Sequence, residues 1–284
     1  MRLADPTLEI IPLADLVGGY GGIVLDVFGV IHDGMSVFPE AYATLGLLRK
    51  EGIRICLLSN SPRRSDEVAK RLEAMGIGRE LYHGLITSGE LVYEALTESP
   101  EFPAGSTYFH LGPVELAELL SALPMNASMS IGAADFILTT GWPEEDAMTS
   151  KLLHACIARK LPMICANPDF EVLIGARKVI CAGALARDYE MLGGRVISYG
   201  KPYRTAYSKA LEVLCLTGEQ VLAIGDSVAT DIVGGRRAGL DTALVLTGVH
   251  KNCLTRDGKM DRIMLRDLFR QHSVAPDFIL SSLG

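Results

Sequence analysis

The feature that most constrains this chain is the run Ile23-Val24-Leu25-Asp26-Val27-Phe28-Gly29-Val30-Ile31-His32-Asp33-Gly34. Apolar, strand-forming residues that stop at a carboxylate read as a buried strand of a parallel sheet, and Gly29 lets the backbone turn away tightly. Open α/β sheets present reactive groups at the carboxyl ends of their strands, so Asp26 is a candidate nucleophile. Alone, it reads equally well as the simple end of a strand. The remaining segments decide between the two.

A helix start at Pro39-Glu40 continues through Ala41, Leu45, Leu48 and Arg49 and can end at Gly52. Arg54-Ile55-Cys56-Leu57-Leu58 is a second buried strand, and it stops at Ser59-Asn60-Ser61-Pro62. Val68, Ala69, Leu72 and Met75 then share one helical face that closes at Gly76. This alternation predicts a doubly wound α/β unit with right-handed crossovers.

From about Gly84 to Arg195 the alternation continues with weaker punctuation. Strand candidates are Tyr108 to Leu111, Phe136 to Leu138, Met163 to Cys165 and Lys178 to Ile180, with helical stretches over Val114 to Leu123 and Ala147 to Arg159. At 284 residues the chain exceeds the usual size of one domain, so this middle third is expected to be a second, inserted α/β unit. The division predicted is 1–83 and 196–284 for the core and 84–195 for the insertion. Core features resume at Arg195 to Pro202 and in a helix through Tyr207, Ala210, Leu211 and Leu214. Val221 to Ile224 is a strand that stops at Gly225-Asp226-Ser227, with Thr230-Asp231 one helical turn on. Thr242 to Leu246 is a last strand, and Pro276 to Leu280 can add a closing one. Gly18-Gly19-Tyr20-Gly21-Gly22 precedes a strand instead of following one, which excludes a dinucleotide fingerprint.

Composition removes several function classes. A net charge of -7 with no basic patch argues against a nucleic-acid surface. No apolar run reaches the length that spans a bilayer, and Met1 to Pro6 lacks the apolar segment of a signal peptide. Six scattered cysteines, without metal-ligand or redox spacing, read as reduced core residues. The expected location is cytoplasmic. A mean hydropathy of +0.25 fits strands buried on both faces. Oligomeric state stays open, with an exposed apolar edge of the insertion able to pair two chains as a homodimer.

Asp26, Asp226 and Asp231 are expected to converge at strand ends, where three like charges need a cation; hard oxygen ligands of this kind imply Mg²⁺. Lys201 in Gly200-Lys201-Pro202 and the Ser59-Asn60 pair supply donors around the same point. Carboxylate nucleophile, cation, hydroxyl, amide and ammonium together suit phosphoryl transfer. Each has a plainer reading: Lys201 as a surface lysine, Ser59-Asn60 as a helix cap, Asp226 and Asp231 as partners of a helix dipole, Asn167-Pro168-Asp169 as a turn, His32 and Asp33 as loop residues.

Taken in order, Asp-x-x-Gly at 26–29, Ser59-Asn60, Gly200-Lys201-Pro202 and Gly-Asp-x-x-x-Thr-Asp at 225–231 resemble the four motifs of the haloacid dehalogenase superfamily. The insertion between the second and third is similar to that of the class IIA branch, the NagD-like and p-nitrophenyl-phosphatase-like sugar or nucleotide phosphatases. Gly29 to Gly34, Asn167-Pro168-Asp169 and Thr247-Gly248 fit as well, so the resemblance extends over nearly the whole chain. It implies that Asp26 forms an aspartyl-phosphate, that Ser59 and Asn60 hold the phosphate, and that Lys201 neutralises it. It also implies Mg²⁺ on Asp26, Asp226 and the carbonyl of Phe28, with Asp231 in the outer shell. The insertion becomes a cap that selects a small phosphorylated metabolite, with Asp169 as a contact to substrate.

One departure stands out. Those phosphatases carry an aspartate, the proton donor and acceptor, where this chain has Phe28. General acid-base catalysis is worth about 10²–10⁴-fold. Three accounts are open: substrates with good leaving groups, a substitute group such as His32 or Asp33, or a protein that binds phosphate compounds with little turnover. A metal-free dehalogenase also carries an aromatic there, but the retained Asp226 and Asp231 argue for a cation. A receiver-type signalling domain needs no domain-sized insertion.

Overall fold

The structure, a computed structural model, describes residues 9–117, 123–143, 146–175, 177–255 and 257–284. The chain first lays down β1 (Gly22–Leu25), β2 (Arg54–Ser59) and β3 (Gly84–Thr87). It then builds β4 (Thr107–Leu111), β5 (Asn126–Ser128), β6 (Phe136–Thr139), β7 (Met163–Cys165), β8 (Glu171–Ile174), β9 (Arg177–Ile180) and β10 (Val196–Ser198). It returns through β11 (Val221–Gly225), β12 (Asp241–Val245) and β13 (Phe278–Leu280).

The first and last groups form one six-stranded parallel sheet in the order β13-β12-β11-β1-β2-β3. Strand order reverses between β1 and β11, where the crevice at the carboxyl edge takes ligands in folds of this kind. Leu25 pairs with Ile224 on one side and Leu57 on the other, so Asp26 leaves the sheet beside the end of β11.

Both faces of the sheet are covered, which explains the unbroken apolar strands. Ile23 and Leu25 pack with Leu45, Leu48 and Leu72 from the helices Ala41–Lys50 and Ser65–Ala74. Val24, Cys56 and Ala223 face the other way, onto Ala206, Tyr207 and Ala210 of the helix Arg204–Leu214. Each such aliphatic side chain contributes about 1.5–3 kcal/mol of burial, which holds the strand ends, and hence the site, in fixed positions.

The insertion is a second parallel sheet in the order β10-β7-β6-β4-β5, with β8 and β9 as a separate antiparallel hairpin. Its core divides between Leu153, Cys156, Leu185 and Tyr189 on one side and Val92, Leu96, Tyr108 and Leu138 on the other.

Two strands lie across the expected boundaries. Residues 84–87, assigned from sequence to the insertion, pair with β2, and residues 196–198, assigned to the core, pair with β7. Both are short edge strands, one opening on glycine, so neither carries enough apolar residues to mark its sheet. The chain therefore crosses over through the helix Ser88–Thr97 and returns just before Lys201. β8 was not anticipated, and of the helix expected over 114–123 the structure describes Val114–Ala117. Residues 118–122 of that stretch, and Met1 to Pro6, lie outside the described residues. Among the described residues no helix is long and apolar enough to cross a membrane. Five of the six cysteines are buried, Cys215 being exposed.

Candidate active site

The sheet edge brings the predicted residues together. Asp26, Ser59, Asn60, Lys201, Asp226 and Asp231 are all buried, none more than 6% exposed. The Asp26 backbone N–H donates to Ile224 O at 2.9 Å, a last rung that fixes the carboxylate just past β1. Its Oδ1 accepts from the Val27 N–H at 2.7 Å and lies 2.5 Å from Lys201 Nζ. The same ammonium donates to Asp231 Oδ1 at 2.7 Å, so Lys201 bridges two acids. That pairing, and its burial, set aside the surface-lysine reading.

Asp231 sits on a widened helical turn, Val228–Ile232, and its Oδ2 accepts from the Ser227 N–H at 3.1 Å. Both of its oxygens are thus engaged, one by Lys201 and one by the Ser227 N–H. Asp226 lies in a cradle made by two glycines. A Cβ on Gly29 would come 2.7 Å from Asp226 Cγ, and one on Gly248 would come 2.8 Å from Asp226 Cβ. Asp226 Oδ2 accepts from the Val249 N–H at 2.7 Å, and Thr247 Oγ1 donates to Gly29 O at 2.6 Å, which ties the loop after β12 to the loop after β1. One oxygen from each of Asp26, Asp226 and Asp231 lies within 4.8 Å of the others.

Burial is the chief influence on all three acids and pushes each of them up, Asp231 to about 6 and Asp226 well above the ordinary carboxylate range, with mutual repulsion adding to it. For Lys201 burial works against the charge, but Asp231, Asp26 and Asp169 outweigh it and hold the ammonium well above its ordinary value. One ammonium cannot compensate three buried carboxylates. An all-oxygen donor set with an excess of negative charge fits a hard divalent cation.

Asn60 was expected to help Ser59 hold the phosphate, and its side chain is engaged with Lys201 and Asp169. Oδ1 accepts from the Lys201 N–H at 2.7 Å, and Nδ2 donates to Lys201 O at 3.0 Å and to Asp169 Oδ1 at 2.8 Å. The amide clamps the backbone of the bridging lysine and joins the core to the insertion. Ser59 ends β2, with its Oγ accepting from the Ser61 N–H at 3.2 Å.

The Phe28 ring, half-buried, meets His32 edge-on at 5.2 Å between centroids and underlies Gly34. Asp33 Oδ1 accepts from the Met35 and Ser36 N–H groups, both at 2.9 Å, so it is committed to a turn. His32 Nδ1 accepts from the Gly34 N–H at 2.9 Å. The loop they occupy touches the insertion: Gly175 N–H donates to Asp33 O at 3.2 Å, and Lys251 Nζ donates to Gly175 O at 3.3 Å. Tyr207, read from sequence as a core-facing helix residue only, donates from its buried hydroxyl to Asp231 O at 3.0 Å. A tyrosine among alanines and leucines is the available signal, because a buried hydroxyl requires a partner.

Two family models match the chain, one described as haloacid dehalogenase-like hydrolase over residues 23–125 and one as HAD-hydrolase-like over 198–283. A hydrolase of the haloacid dehalogenase-like family from Brucella suis superposes with a TM-score of 0.81 at 32% identity, covering 96% of this chain and 99% of that one. Human chronophin is 27% identical over 96% of this chain and 94% of its own length. The ribonucleotide monophosphatase NagD of Escherichia coli K12 is 27% identical over 80% of this chain and 88% of its own.

Proposed function

The chain belongs to the haloacid dehalogenase-like hydrolase family, in its NagD-like branch, and from that premise we propose that it is a Mg²⁺-dependent phosphatase of small phosphorylated metabolites. The observation that carries this reading is the Lys201 ammonium bridging Asp26 and Asp231, beside Asp226, at the point where strand order reverses. Asp26 is the nucleophile. Lys201 and the Val27 N–H both hold its Oδ1, fixing the plane of the carboxylate for attack on phosphorus with formation of an aspartyl-phosphate. Lys201 and the Ser59 hydroxyl stabilise the transferring phosphoryl oxygens, while Asn60 positions Lys201 through its backbone.

Asp26, Asp226 and the Phe28 carbonyl would hold Mg²⁺, with Asp231 behind them. When bound, the ion neutralises charge that builds on the phosphoryl group. The insertion acts as the cap: its β8-β9 hairpin meets the Asp33 loop over Phe28 and excludes water, and Asp169 reaches Asn60. A sugar phosphate or a nucleotide, substrate classes named for the relatives, is the class of compound to test.

Phe28 favours a second reading, a phospholigand-binding protein with little turnover. A phosphate-release panel with Mg²⁺ and with EDTA, using Asp26→Asn as the blank, separates the two. Mg²⁺-dependent release supports the phosphatase. Release no greater than the blank, together with a thermal shift on adding phosphorylated ligands, supports the binder.

A further inference from the structure

Resting on the phosphatase reading, we propose that Asp169, supplied by the insertion, is the catalytic acid and base that the core lacks at Phe28. The core carboxylates are committed: Asp26 and Asp231 to Lys201, Asp226 to the Val249 N–H, and Asp33 to the Met35 and Ser36 N–H groups. His32 accepts at Nδ1 from Gly34, so its neutral ring carries the proton on Nε2 and cannot take one up there.

Asp169 differs from all of these. Asn60 Nδ2 donates to its Oδ1 at 2.8 Å, and the same nitrogen donates to Lys201 O, so the carboxylate is registered against the residue that grips the nucleophile. Its Oδ2 has no hydrogen-bond partner among the described residues. Its backbone is fixed on both sides: the N–H donates to Asn167 Oδ1 at 3.2 Å, and the carbonyl accepts from the Gly183 N–H at 3.0 Å. Gly183 permits that approach, since a Cβ there would come 2.6 Å from Asp169 O. The charged and titratable groups around it are Lys201, Asp26 and Asp231 of the core and the Cys165 and Cys181 thiols of the insertion. Burial, opposed by Lys201 and the Asn60 hydrogen bond, raises the carboxyl to about 6, near the pH at which a group serves well as both donor and acceptor.

In the first step an Asp26 oxygen bonds to phosphorus and the bond to the leaving oxygen breaks. That oxygen keeps the electron pair and takes the Asp169 proton, giving the free alcohol and an Asp169 carboxylate. In the second, water attacks phosphorus and gives its proton to Asp169. The bond to Asp26 breaks, releasing phosphate and restoring both acids.

The test uses the full chain with Mg²⁺, p-nitrophenyl phosphate, whose leaving group needs no proton, and an alkyl phosphate, whose leaving group does. Asp169→Asn keeps an oxygen for Asn60 but carries no transferable proton. Its turnover of alkyl phosphate should fall about 10²–10⁴-fold. With p-nitrophenyl phosphate it should still give a burst of one nitrophenolate per enzyme, followed by slow release and a trapped aspartyl-phosphate. Phe28→Asp in the Asp169→Asn background should restore turnover, which also shows that the variant folds. Equal loss on both substrates without a burst or rescue, or unchanged alkyl turnover, overturns the assignment to Asp169 while leaving the phosphatase reading intact. A wild-type chain no faster than Asp26→Asn on both substrates overturns both.

Discussion

Gly29 and Gly52 share a backbone conformation, with φ of +83° and +80°, but not an environment. A Cβ on Gly52 meets nothing within 4 Å, whereas one on Gly29 meets Asp226 Cγ at 2.7 Å and the Gly248 backbone at 3.1 Å. Alanine at either position carries the left-handed backbone cost of about 1–2 kcal/mol. At Gly29 the new methyl must also displace the Asp226 carboxylate. The overpacking costs about 1–3 kcal/mol, and leaving the part-buried Val249 N–H without its acceptor costs roughly 1–3 kcal/mol more. Gly29→Ala should therefore exceed Gly52→Ala by about 4 kcal/mol. At about 2–4 °C per kcal/mol for a chain of this size, the gap in Tm is about 8–16 °C. Thermal melts of both variants in EDTA read it directly, without a contribution from bound cation. Melting temperatures that fall equally would refute the cradle around Asp226, because only the backbone term would then be at work.

Three further outcomes are expected. Adding Mg²⁺ at about 100 times its dissociation constant should stabilise the protein by about 2.7 kcal/mol over EDTA, and Asp226→Asn should abolish that shift in Tm. Lys201→Met leaves Asp26 and Asp231 buried without their cation, and should cost about 3–5 kcal/mol in EDTA at pH 8. An acid whose folded pKa is raised gives stability below its unfolded pKa that is lost as pH rises through the folded value. The variant's deficit in urea melts should therefore shrink between about pH 8 and pH 5, as Asp231, already at about 6, takes up a proton. Glu90 pairs bidentately with Arg64 at 2.7 and 2.8 Å, and this pairing holds its carboxyl below the usual range. The stability it confers is present above the unfolded pKa and lost as pH falls through the depressed one. Glu90→Gln should cost about 1–2 kcal/mol near neutrality, a loss that vanishes in acid melts.

The core sheet was legible because both of its faces are covered. Ile23 to Leu25 and Val221 to Ile224 have no polar alternation to confuse them with exposed strands, and each stops at a carboxylate. β3 and β10 were not legible, since an edge strand of three or four residues is specified by its neighbours more than by its own composition. Within the site, residue types and spacing pointed to Asp26, Lys201, Asp226 and Asp231, because charge placed at strand ends leaves few structural uses. The office of Asn60 was hidden. Its amide closes two hydrogen bonds on a peptide 141 residues away, and nothing in Ser59-Asn60-Ser61 distinguishes a residue that binds phosphate from one that positions a lysine.

Charge explains why the insertion and the core must meet here. At about 5 Å and an effective dielectric of about 20, each pair of like charges among the three core acids costs roughly 3 kcal/mol, and Lys201 offsets only part of the total. A phosphate dianion would be repelled by such a cluster unless a divalent cation joined it. Once cation and lysine have balanced the acids, a further ionised carboxylate within the core would bring the repulsion back. A proton carrier is better placed outside the cluster, on a separate unit, close enough to feel Lys201 and desolvated enough to hold a proton up to about pH 6. Asp169 meets these conditions through one amide, and Phe28 leaves the core without a competing acid at the position it fills.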